Sequence, residues 1–176
     1  MQIHRIRTLA GPNIFSHRPM LAMELDLGEL YAVESYEVEG FIDRLINLLP
    51  GLHNHHCASG QPGGFIKRLH EGTYFGHIVE HVALELTDAV GIATNRGKTI
   101  AADTPGRYIV AVEYKSEAGM KCLLHTAVAL VESLVRNEPF ALDEQLQRAR
   151  DAITANGLGP STQAIVDAAT RRGIPW

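Results

Sequence analysis

Residues 107–115 read Arg-Tyr-Ile-Val-Ala-Val-Glu-Tyr-Lys, with β-branched and aromatic side chains on both alternating faces. A run of that kind suits a strand in the interior of a sheet, where both faces are covered. Asp103-Thr104-Pro105-Gly106 just before it has turn chemistry, so residues 98–102 and 107–115 are expected to form a hairpin. Further out, residues 2–9 alternate and end at Gly11-Pro12, and residues 19–27 place Leu21, Met23 and Leu25 on one face. Both read as strands. Residues 38–49 carry Phe41, Ile42, Leu45, Ile46 and Leu49 at helical spacing before Pro50-Gly51. After a loop rich in His, Gly and Pro (51–64), Phe65–Leu69 is expected to be a short strand. The longest helix is expected over 73–90, with Thr73 as N-cap and Gly91 as its stop. Residues 118–136, 141–155 and 161–172 read as helices, the last capped by Ser161 and closed by Gly173 with Pro175 beyond. Strands and helices mix without strict alternation. The class is therefore α+β, a mixed, mainly antiparallel sheet packed against several helices.

The composition narrows the function. The chain has 176 residues, 45% hydrophobic, with 16 Lys+Arg against 20 Asp+Glu and a net charge of -4. That is enough chain for one core, and it lacks the basic field that nucleic-acid binding needs, so no nucleic-acid partner is expected. No apolar run approaches ~20 residues, so no membrane span is expected, and the first residues lack the apolar core of a signal peptide. Two cysteines, Cys57 and Cys122, make no disulfide framework, so a cytoplasmic location is the expectation. Nine histidines are the unusual number, and six of them fall between positions 53 and 81.

His77-Ile-Val-Glu80-His81 is the most informative motif. At ~100° per residue on a helix, His77 and His81 stand one above the other while Glu80 lies about 60° away. Phe75, Ile78, Val79, Val82 and Leu86 form the apolar stripe on roughly the opposite side, so both imidazoles can face a cleft. Two such imidazoles can hold zinc or another divalent metal, and the adjacent carboxylate is placed as general base for an attacking water. That is the inverzincin metallopeptidase arrangement. A third ligand is required. Glu113, on the strand face shared by Ile109 and Ala111, is the first candidate; Glu132 on the following helix and Asp88 beyond His81 are the others. The loop His53-x-His55-His56-Cys57 is a rival or contributing site, with His55 and Cys57 as cleft-lining residues and packing the leading role for the cysteine. Gly91 to Thr99 imitates a phosphate-binding loop but has five residues between its glycines and leads from helix to strand, so it is rejected.

Beyond these motifs the whole chain resembles the N-terminal domains of cyanophycin synthetases. The resemblance is carried by Ile6-x-x-Leu-x-Gly-Pro-Asn13, by Cys57 with Gly63-Gly64-Phe65, and by Gly76-His77-Ile-Val-Glu80-His81-Val-Ala-Leu-Glu85-Leu86. It continues through Thr104-Pro105-Gly106, Val112-Glu113-Tyr114 and Leu158-Gly-Pro-Ser-Thr162 to Arg172-Gly-Ile-Pro-Trp176. Gln61-Pro62 departs from a Cys-His pair common in the family. The resemblance implies a domain over 1–160 that binds cyanophycin (multi-L-arginyl-poly-L-aspartate) and carries a metallopeptidase-like site cutting it into primers. It implies a terminal helix and linker over 161–176 leading to ATP-grasp and Mur-ligase-like domains, absent from these residues, where ATP binds. It also implies a cytoplasmic, homo-oligomeric complete enzyme. His77, Glu80 and His81 carry over onto the hydrolytic site, Glu113 less directly. A polymer with a carboxylate and a guanidinium on each unit calls for a mixed-charge groove, with His55, Arg18, Lys67, Arg68 and Arg107 as contact candidates. A non-catalytic polymer-anchoring module and an oligomerisation scaffold are the competing readings.

Overall fold

The computed structural model describes residues 1–174. The hairpin expected around Asp103–Gly106 forms one half of a four-stranded antiparallel sheet, with its second strand inside and its first at the edge. Strands β1 (Gln2–Leu9), β2 (Met20–Asp26), β3 (Gly97–Ala101) and β4 (Arg107–Glu113) lie in the order β1-β2-β4-β3. The residues 107–113 are thus an inner strand, as their two-faced pattern requires. Register pairs Leu21 with Val112 and Met23 with Val110, so one face of the sheet is a continuous apolar surface. The other face carries Met20, Ala22, Ala111 and Glu113.

Helices α1 (Phe41–Leu48), α2 (Gly64–Glu71), α3 (Phe75–Ala89), α4 (Glu117–Val135), α5 (Leu142–Ala155) and α6 (Pro160–Arg171) complete the chain. α3 and α4 pack on the apolar face, and α5 lies against α4. All five residues of the stripe read from α3 are fully buried. α4 is 19 residues long and apolar enough in composition to cross a membrane, yet Met120, Leu123, Leu124, Ala127, Leu130 and Val131 are buried in the core. Its apolarity is that of a core helix with neighbours on several sides.

Three local expectations are corrected. Phe65–Leu69 is not a strand but part of α2, because Phe65 and Leu69 are both buried at i, i+4; over five residues that spacing is equally compatible with alternation. Thr73 does not cap α3, whose N-cap is Tyr74, because its hydroxyl engages the His77 ring instead. Nor does Ser161 cap α6, since Pro160 takes the first helical position after Gly159. Pro175 and Trp176 lie outside the described residues.

Candidate metal centre

α3 holds the motif because its apolar residues are pinned to the sheet, which fixes the rotation of the helix and turns His77, Glu80 and His81 into a cavity of ≈ 870 Å³. The two imidazoles point at each other, Nε2 to Nε2, at 3.1 Å. Cys57 Sγ sits 3.5 Å from His77 Nε2. The three ligand atoms lie within 4.8 Å of one another, the single such group of three among the described residues. Cys57 reaches this position from a short turn in which its own backbone is left-handed, φ +51°. Gly64 permits the approach of that turn to α2, since a Cβ there would stand 1.8 Å from the His56 carbonyl oxygen. Phe65, next along, stacks on the His81 ring with centroids 3.9 Å apart.

Behind the imidazoles runs a chain of hydrogen bonds. His77 Nδ1 meets Thr73 Oγ1 at 2.9 Å, His81 Nδ1 meets His55 Nδ1 at 2.8 Å, and His55 Nε2 meets Glu85 Oε2 at 3.0 Å. A carboxylate only accepts, so His55 donates from Nε2 and accepts at Nδ1, which makes His81 the donor at its Nδ1. The His81 Nε2 lone pair is thereby aimed at the gap between the rings. Burial keeps both rings neutral: it pushes His77 down to about 4, with Arg68 adding to the effect, and His81 down to about 2, with His77 and His55 adding. Neutral imidazoles oriented from behind could hold a metal ion.

Glu80 is buried on the side facing β3. Thr99 Oγ1 donates to its Oε2 at 2.6 Å, and burial raises its pKa to about 7 against the opposing pull of the Thr99 hydrogen bond and of His55. Gly97 lies directly over the carboxylate: a Cβ there would stand 2.6 Å from Glu80 Oε1.

The remaining sequence candidates separate. Glu113 lines the same cavity, but alternation along β4 turns it to the sheet face opposite α3. Its Oε1 accepts from Arg18 Nη1 at 2.9 Å, and Arg96 Nε lies 3.9 Å from its Oε2. Asp88 also lines the cavity, whereas Glu132 lies outside it and pairs with the Met1 amino group and Arg136. Of the contact candidates, His55 and Arg18 line the cavity. Lys67 pairs with Glu71 on α2, and Arg107 lies between Glu24 and Asp26; these two, and Arg68, are outside it. Sequence reasoning kept Cys57 in a rival or contributing metal loop but gave packing as its leading role, and it assigned no role to Glu85 or Thr99. The i, i+4 spacing of Glu85 from His81 was the available signal for Glu85; Thr99 has none, because only the packing of β3 on α3 brings it to Glu80.

An α+β domain with a Cys/His/His donor group and a buried carboxylate at an open cavity is the class that fold and site define. The chain belongs to the cyanophycin synthase-like N-terminal domain family, whose model matches residues 22–136. It is 43% identical over 181 aligned positions to the cyanophycin synthetase of Trichormus variabilis and 44% identical to that of Synechocystis sp.. Each alignment takes in 100% of this chain and about a fifth of the relative, 20% and 21% respectively.

Proposed function

We propose that this chain is the N-terminal domain of a cyanophycin synthetase and that it binds cyanophycin and hydrolyses it at a zinc metallopeptidase-like centre, supplying primers for polymerisation. The observation that carries the reading is the pair of imidazole nitrogens 3.1 Å apart with Cys57 Sγ at 3.5 Å, beside Glu80. Ligands of a tetrahedral ion at ~2.05 Å for nitrogen and ~2.3 Å for sulfur are separated by about 3.3 Å (N to N) and about 3.5 Å (N to S), so the His77–His81 and His77–Cys57 separations suit zinc or a similar divalent ion. His77, His81 and Cys57 would hold it; Glu113, the sequence's first choice for the third ligand, is engaged with Arg18 and Arg96.

A divalent ion there supplies Lewis acidity, polarising a carbonyl and acidifying water. Glu80, held through Oε2 by Thr99, uses Oε1 to take a proton from the attacking water. The water oxygen bonds to the peptide carbon, the C–N bond breaks, and Glu80 returns the proton to the leaving amine. Phe65 and the buried α3 stripe keep the imidazoles from swinging, and Glu85 through His55 keeps the His81 tautomer. Residues 1–160 form the polymer-handling unit, and 161–176 lead toward ATP-grasp and Mur-ligase-like domains of a cytoplasmic, homo-oligomeric enzyme in which ATP is bound elsewhere.

The test is chain length. Incubated with cyanophycin, the 176-residue chain shortens the polymer, and both a chelator and Glu80→Gln stop it, by at least ~10²-fold for the variant. Co-sedimentation with the polymer and no shortening, with metal bound, rejects hydrolysis in favour of an anchoring module.

A further inference from the structure

Loop 10–19 brings one charged group to the cavity, and it is built to do so. Asn13 accepts from the Phe15 and Ser16 N–H groups through Oδ1 and donates through Nδ2 to the Gly11 and Arg18 carbonyls. Ser16 Oγ accepts from the Arg18 N–H. The loop is therefore tied at both ends of its turn, and its last charged residue, Arg18, lies across Glu113. Arg96 reaches the same carboxylate from the other side, with its carbonyl accepting from the Glu113 N–H at 2.9 Å. Glu113 is buried, whereas the Arg18 and Arg96 side chains are 63% and 52% exposed. Two guanidiniums on one carboxylate leave one positive charge in excess at this wall. Arg18 spends a single Nη1 donor on Glu113, and a guanidinium has five. It forms the ridge between the large cavity and a second hollow of ≈ 450 Å³ lined by residues 13–18 and Arg96. Lys98 and Lys115 line the large cavity with it, while Glu85 and Asp88 line it from α3. The cations come from the sheet side, and apart from Glu113, which Arg18 and Arg96 already pair, the carboxylates come from α3.

We infer that Arg18 and Arg96, both braced on buried Glu113 and with the Arg18 loop set in place by Asn13, form a receptor for a carboxylate of the bound chain where it crosses the ridge from the large cavity to the second hollow. The inference rests on the proposed polymer substrate and deepens it: it assigns the ridge beside the cavity as the place that takes the acidic group. Asn13 and Glu113 are positioning residues, and the arginines make the contact. An arginine fork suits the planar carboxylate, so lysine is a poor replacement.

Binding measured without turnover tests this. In the Glu80→Gln chain, calorimetry compares a short arginyl-aspartate oligomer with the same oligomer whose carboxylates are amidated. The free acid binds more tightly than the amide; Arg18→Gln and Arg96→Gln each weaken the free acid about tenfold and leave the amide unchanged. Arg18→Lys restores part of the loss, and Asn13→Ala shifts the free acid alone, with circular dichroism verifying the fold of each variant. Equal binding of acid and amide by the parent, no binding of either, or equal losses for both in the arginine variants overturns the receptor. A parent chain that prefers the acid but, with Glu80 restored, never shortens polymer leaves the receptor standing and removes the hydrolytic reading.

Discussion

Glu85 touches neither the thiol nor the facing nitrogens of the donor group, yet through His55 it decides which nitrogen of His81 carries a proton. Outer partners of this kind are worth about 10–100-fold in metal affinity. Glu85→Gln is accordingly expected to weaken metal binding by that factor in a competition titration with a chromophoric chelator, and an unchanged affinity would show the His55 contact to be incidental. Gly97 acts on the other carboxylate. A methyl group in place of its hydrogen displaces either Glu80 or the strand, at a cost on the order of 1–3 kcal/mol. Gly97→Ala is expected to slow polymer shortening at least ~10-fold with metal content unchanged; full activity would mean that Glu80 can act from a second position. Cys57 is the residue the sequence undervalued. Its distance along the chain from His77 concealed the contact, and nothing local announces that its backbone adopts φ +51° to make it.

α3 as an element couples the site to stability, and the signs differ among its residues. In the metal-free chain His77 and His81 have pKa values depressed from 6.5, so the unfolded chain binds protons there that the folded chain refuses, and stability is lost as pH falls from about 6.5 toward 4. Glu80 is raised from 4.5 to about 7, so between those values the folded chain holds one proton more than the unfolded one and stability falls as pH rises. Two groups oppose one. The net expectation, read from melting temperatures in chelator at pH 7, 6 and 5, is destabilisation on acidification, with a steeper slope in Glu80→Gln; a flat profile would mean that water reaches the imidazoles. This element was legible in the sequence because fifteen residues are enough for the apolar stripe to declare its period. β4 was legible for the same kind of reason, its two-faced pattern admitting only an inner position. α2 was not, since its buried Phe65 and Leu69 satisfy helix and strand alike, and what Phe65 packs on, the His81 ring, is distant in sequence. Glu113 shows the converse: alternation placed it on the correct face, and that face is the one turned away from α3.

For the whole molecule, the cavity is assembled from separate stretches of chain around residues 18, 55–57, 77–88, 94–99 and 113–115. An ion held as proposed would bridge two of them, the 55–57 turn and α3, and only the folded chain brings these donors together. At an ion concentration a hundred times its dissociation constant, such binding stabilises by about 2.7 kcal/mol, or roughly 5–10 °C in melting temperature for a chain of this size. Chelation is expected to remove that increment reversibly, as read by differential scanning fluorimetry, and Cys57→Ala to abolish the response to added zinc. α6 contributes little to this assembly, having no buried residue. The left-handed backbone of Cys57 governs how the thiol can be deleted. Alanine would keep paying the steric toll of that torsion, whereas glycine at position 57 would relax it, so a Gly variant offers the cleanest way to remove one donor while leaving the scaffold as firm as before.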